Sequence, residues 1–123
     1  MYLTLEEYKE LSDVIKDDKE IEKMLKKSER YIDILTYNRI KSIGFEKCSE
    51  FEQEIIKEVQ SELIDFIYLN KDMINSYLNS YSINGVSIDL TSINPNIITI
   101  NGIALLKSSY DKLNLTRFTS LIL

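Results

Sequence analysis

The sequence predicts a mainly α protein, a small helical bundle with a β-hairpin or extended arm between the third and last helices. Three observations carry that expectation. Helix-start signatures recur: Thr4-Leu5-Glu6-Glu7 and Ser49-Glu50-Phe51-Glu52 are capping boxes, in which a hydroxyl reaches the amide three residues on and the glutamate reaches back. Apolar residues recur at steps of three, four and seven through 21–35 and 51–74, the spacing of one helix face. Charge then falls away. The first 72 residues hold 12 Lys/Arg and 18 Asp/Glu, whereas the other 51 hold 3 and 2, with 19 Asn, Ser or Thr and 18 Ile, Leu or Val.

The first helix is capped by Thr4 and runs to Leu11, with Ser12-Asp13 weakening it. Asp17 or Asp18 caps a second helix, with Glu20 and Glu22 in the first turn, where the helix dipole favours acid. Its stripe is Ile21, Met24, Leu25, Ile32 and Leu35, with Ser28 in line, and it should run to about Tyr37. Asn38 to Lys47 reads as a loop around Gly44. The third helix opens at Ser49. Phe51, Ile55, Val59, Leu63, Phe66 and Asn70 trace one stripe, and Ile56, Ile67 and Ile74 widen it, so this helix should be packed on more than one side and end between Asn70 and Tyr77.

From Tyr81 to Leu90 the period shortens, with Tyr81, Ile83, Val86, Ile88 and Leu90 set around Asn84-Gly85. Either Asn84-Gly85 is a two-residue hairpin turn or it is a bulge in one longer strand. The alternation of Ile98 and Ile100 favours the bulge, which leaves Thr91 to Pro95 as the turn and Asn96 to Asn101 as the return strand. Ala104 to Leu113 suits a short last helix. The tail carries Leu115, Phe118, Leu121, Ile122 and Leu123, and Arg117 is its one charged side chain. The 123 residues thus read as one domain: a helical body over 1–77, a hairpin or arm over 78–103, and a last helix and tail over 104–123. With three glycines and one proline, no flexible linker divides it.

Composition narrows the function. The formal charge is −5, which argues against binding nucleic acid by phosphate neutralisation. There is no histidine, the usual proton shuttle and commonest metal ligand. Cys48 is the only cysteine, so neither an intrachain disulfide nor a cysteine zinc site is expected. The N-terminus lacks the regions of a signal peptide, and no apolar run is long enough to cross a bilayer, so the chain reads as soluble and cytoplasmic at synthesis.

Most candidate sites have plainer readings. Asp17-Asp18 and Glu50, Glu52 and Glu54 are explained by helix starts better than by catalysis or a cation site. Cys48 has no histidine to act as its base and reads as a small, half-buried residue. Lys26, Lys27 and Arg30 could meet phosphate, but Glu22 and Glu29 interleave with them, which favours salt bridging along the helix. The segment Tyr31 to Ile40 is different. It sets two tyrosines, Asp33 and Arg39 around a helix end, and two readings stand level: a tyrosine-walled terminus capped by Arg39, or a subunit contact, since Tyr and Arg concentrate at interface centres. Asp65, between Ile64 and Phe66, reads as a partner for Arg39 or Lys41 within the fold, or for a neighbouring subunit.

These residues resemble the small helical head–tail connector (adaptor) proteins of tailed phages and prophages. The resemblance lies in Leu5-Glu6-Glu7-Tyr8, in Leu25-x-x-Ser28, and in Tyr31-Ile32-Asp33-x-Leu35-Thr36-Tyr37-Asn38-Arg39-Ile40. It continues through Phe51-x-x-x-Ile55-Ile56-Lys57-x-Val59-Gln60, Asp65-Phe66 and Tyr81 to Ser87. It departs in alanine content, because Ala104 is the only alanine here.

The resemblance implies a structural subunit without enzymatic activity or cofactor. It implies a ring of copies of this chain, commonly twelvefold, docked under the portal protein and facing the next neck or tail-completion protein at the virion's head–tail junction. Duplex DNA would pass through the lumen without specific binding, and no membrane would be involved. The expected interface residues are Tyr31, Tyr37, Arg39 and Asp65 around the helix end, Tyr81, Ile83, Val86, Ile88, Ile98 and Ile100 on the arm, and Leu115, Phe118 and Leu121 on the tail. Arm and tail are expected to order against neighbours, and the competing expectation folds the tail onto its own helical body. The alternative function is a small non-enzymatic adaptor or regulator that binds one host protein through its C-terminal half.

Overall fold

The computed structural model describes residues 1–75 and 95–120. Tyr81, Ile83, Val86, Ile88 and Leu121, and the choice between turn and bulge at Asn84-Gly85, lie outside the described residues. The helical body forms where the sequence places it. Helix α1, Leu5–Leu11, starts on the Thr4 capping box, with Thr4 Oγ1 accepting from the Glu7 amide at 3.1 Å and Glu7 accepting from the Thr4 amide at 3.0 Å. Ser12 ends it. Helix α2, Asp18–Leu35, has Asp17 at its N-cap and buries Ile21, Met24, Leu25, Ser28, Ile32 and Leu35, the whole expected stripe.

The segment after α2 is not the open loop that Gly44 suggests. Arg39–Ile43 forms a short helix, α3, because Ile40 is buried in the core and holds the turn in place. Gly44 follows with φ of 99°, a conformation cheap only for glycine, and leads into a 3₁₀ turn, Phe45–Lys47.

Helix α4, Glu50–Leu69, opens on the Ser49 capping box. It packs against α2 and also touches α1 and elements of the C-terminal half, so it is buried around much of its circumference. Phe51 departs from the expected stripe. It lies in the first turn of α4 and is 54% exposed. Between the two long helices, the buried Gln60 Nε2 donates to Leu25 O at 3.2 Å and to Ser28 Oγ at 3.0 Å. Its Oε1 is buried without a partner among the described residues. After Asn70 the chain is helical again over 71–75.

The described hairpin differs from the expected one. Strand β1, Ile97–Ile100, pairs antiparallel with β2, Ile103–Leu106, in the register Ile97 to Leu106 and Ile100 to Ile103. The turn is Asn101-Gly102, with φ of 51° and 82°. Positive φ at both central residues is what a type I′ turn requires, and Asn-Gly is its preferred pair. Residues 103–106 are therefore strand, and the last helix, α5, begins later than expected and spans Lys107–Leu113. A lone hairpin is marginal in water. This one is covered by its own subunit: β2 contacts α4 and α5, and Ile97, Ile103 and Leu105 are buried.

The tail also turns inward. Thr116 Oγ1 caps a 3₁₀ turn, Arg117–Thr119, and Phe118 is 0% exposed. For these residues the structure corrects the expectation that the tail waits for a neighbour, since Phe118 fills the subunit's own core. Leu115, by contrast, is 63% exposed.

Candidate functional site

The candidate site grows from the way α2 stops. Thr36 Oγ1 donates back to Ile32 O at 2.7 Å. The Tyr37 amide then reaches Ile34 O at 3.2 Å and the Asn38 amide reaches Asp33 O at 2.7 Å. These two bonds form a Schellman cap, which normally uses glycine in the left-handed position. Here Tyr37 and Asn38 occupy it, with φ of 55° and 63°. A left-handed non-glycine residue costs about 1–2 kcal/mol, a cost that the cap hydrogen bonds and the Arg39 contact offset here.

Arg39 secures the junction. Its guanidinium lies over the Tyr37 ring with its carbon 5.0 Å from the centroid, and Nη1 donates to Phe118 O at 3.1 Å and to Ser120 O. Arg39 thus ties the C-terminal turn to the end of α2. Of the two readings of Arg39, the one within the subunit has these contacts behind it. Tyr37 itself stays 45% exposed. It lines a groove of about 460 Å³ along α2 and α3 with Lys26, Arg30, Ile34 and Lys41, among others.

The carboxylates in this groove are already engaged. Glu29 accepts from the Tyr2 amide at 2.6 Å and Asp33 from the Tyr2 hydroxyl at 2.5 Å. Burial pushes the Asp33 carboxyl above its usual range and Glu29 adds to the rise, against the pull of the Tyr2 hydrogen bond. Of the cations, Lys41 acts on Asp33 through charge and pulls its carboxyl down. Among the described residues, Lys26, Arg30 and Lys41 form no ion pair, so the expected salt bridging along α2 to Glu22 and Glu29 does not occur. Lys27 instead faces the Tyr31 ring, 5.9 Å from its centroid.

The other expected site residues are dispersed. Tyr31 borders a separate cavity of about 90 Å³ near Ile67 and Ile103, away from Tyr37. Ile98 and Ile100 are half-buried against the core. Asp65 pairs with neither Arg39 nor Lys41. It accepts from Tyr8 Oη at 2.6 Å and from Ser12 Oγ at 2.9 and 2.8 Å. Tyr2, Tyr8 and Ser12 lie 31, 57 and 53 residues from the carboxylates they bind, beyond the reach of any local sequence pattern.

Burial, then the hydrogen bond to Asp65, pushes the Tyr8 hydroxyl up from 10.0 to about 12. A phenol raised in the folded state adds stability below its unfolded value and loses it as pH rises through the folded one. Stability should therefore decline from pH 10 towards about 12, with Tyr2 raised in the same direction. Denaturant melts at stepped pH check this: Tyr8→Phe should flatten part of the slope, and an unchanged slope would contradict the assignment.

Cys48 is buried near Gly44, with Sγ 3.6 Å from Gly44 O, and burial and Glu52 push its thiol up, away from the thiolate a nucleophile needs. Glu52 caps α4 and meets Arg117 Nε at 3.2 Å, and Asp18 meets Lys9 at 2.7 Å. Among the described residues no cluster of three metal-ligating side chains occurs, and no helix is long and apolar enough to cross a membrane. No family model, curated protein or solved structure matches the chain.

Proposed function

We propose that the chain is a structural head–tail connector (adaptor) subunit. In this reading copies form a ring under a phage portal, dodecameric as is common in the family it resembles. The ring extends the DNA channel, docks the next neck or tail-completion protein, and sits at the head–tail junction of the virion. The observation that carries the reading is the Tyr31 to Ile40 segment. It is, with Tyr81 to Ser87, the most specific part of the resemblance, and it builds an exposed junction at which Tyr37 is kept in a costly left-handed conformation. A helical body with a hairpin is also the architecture the resemblance implies.

The alternative, a regulator that grips one host protein through its C-terminal half, draws less support. Ile97, Ile103, Leu105, Leu113 and Phe118 from that half are spent on the subunit's own core.

Sedimentation with portal rings tests the proposal. The protein should co-sediment as a stoichiometric ring, since many weak contacts closing one ring reinforce each other. A protein that stays monomeric and ignores portal rings would overturn it.

A further inference from the structure

We propose that the groove beside Tyr37 seats a second copy of this chain, and that the seated group is the acidic aromatic turn Glu50-Phe51-Glu54 at the start of α4. This rests on the ring reading above and names a contact within the ring.

On the groove side, Lys26 and Arg30 have no ion-pair partner among the described residues, while the groove's own acids are offset, Asp33 by Lys41 and Glu29 by the N-terminal ammonium at 3.8 Å, and both accept from Tyr2. Ile34 and Tyr37 supply exposed apolar surface between those cations. The groove therefore presents positive charge around an apolar floor. The α4 turn presents the converse. Phe51 is the one large side chain of the expected α4 stripe that the core leaves largely exposed among residues 51–67. Glu50 and Glu54 flank it at helical spacing, both exposed and neither paired with a described cation.

An aromatic ring set on Tyr37 and Ile34, with carboxylates reaching Lys26 and Arg30, satisfies both surfaces at once. The two patches share no residue. The contact is thus heterologous, and its repetition closes a ring or extends a filament. A polyanion could satisfy the cations but would leave Phe51 unexplained.

Charge exchange on the full chain tests the contact, read by sedimentation velocity in solution and on portal rings. Wild-type association should weaken by about tenfold between about 0.05 and 0.5 M salt, as screening shortens. Lys26→Glu/Arg30→Glu and Glu50→Lys/Glu54→Lys should each weaken it by about tenfold or more, because each turns attraction into like-charge repulsion. Phe51→Ser should weaken it without a change of charge. An equimolar mixture of the two charge-reversed proteins should recover association, because each then offers the other a complementary groove and turn. Circular dichroism should match wild type throughout, since all the altered residues are exposed.

Wild-type assembly that both reversed proteins reproduce, or a mixture that fails to recover, overturns this contact and leaves the ring standing. Wild type that is monomeric both alone and with portal rings overturns both. Duplex DNA binding abolished by Lys26→Glu/Arg30→Glu, with the Glu50/Glu54 reversal silent, would make the groove a polyanion site and overturn the contact.

Discussion

Phe118→Ala is expected to cost the isolated subunit about 3–5 kcal/mol, the loss typical of a large aromatic removed from a core that cannot collapse around the gap. Phe118 has no exposed surface, its amide is held by Thr116 Oγ1 at 3.3 Å, and its carbonyl is held by Arg39. A domain of this kind is stable by only about 5–15 kcal/mol, so the change removes a large fraction of the total. Urea melts should show a lower midpoint at unchanged slope. Leu115→Ala, three residues earlier and largely exposed, should stay within about 0.5 kcal/mol of wild type. A chain ending at Asn114 should lose helical circular dichroism at physiological temperature, because it lacks the same core group. If Phe118→Ala behaved like Leu115→Ala, the tail would not belong to the subunit's core.

Asp65→Ala is expected to cost about 1.5–3 kcal/mol, the range for hydrogen bonds to a charged group. The change removes the acceptor of the Tyr8 hydroxyl, whose side chain is buried, and leaves it as an acceptor from the Ile15 backbone and from Ser12 Oγ at 3.3 Å. Asp65→Asn keeps an acceptor oxygen and should cost less. Tyr8→Phe and Asp65→Ala should couple by about 0.5–3 kcal/mol in a double-mutant cycle, whereas Arg39→Ala and Asp65→Ala should add within about 0.5 kcal/mol because they share no partner. Strong coupling between Arg39 and Asp65 would restore the pairing that the sequence suggested and contradict the geometry.

The difference between these two cases and the helices shows what a sequence pattern carries. Capping at Thr4 and Ser49 and the α2 stripe depend on residues within about two turns of one another, so their spacing alone is decisive. Asp65 meets Tyr8 across 57 residues, and no local pattern encodes that meeting. The hairpin departs from expectation for a subtler reason. Two Asn-Gly pairs are present, at 84–85 and 101–102, and the second makes a turn although Ala104-Leu105-Leu106 after it are good helix formers. Burial against α4 and α5 outweighs that weak preference and holds them in a strand. Phe51 lies on the apolar stripe by angle, yet it sits in the first turn of α4 and remains largely exposed. Periodicity gives direction around a helix axis and says nothing of what stands opposite.

The amide of Gln60 bears on which alignment of the two long helices the chain accepts. Aliphatic stripes alone tolerate sliding, since one Ile or Leu fits much like the next. A slide of one helical turn, about 5.4 Å, would carry Gln60 away from Ser28 and set its donor against apolar Met24 or Ile32. Burying an unmet amide costs about 1–3 kcal/mol, which disfavours every alignment but the one observed. The serine in the α2 stripe and the glutamine opposite it therefore act as a vernier, giving up some cohesion so that the ends of both helices arrive at a single height.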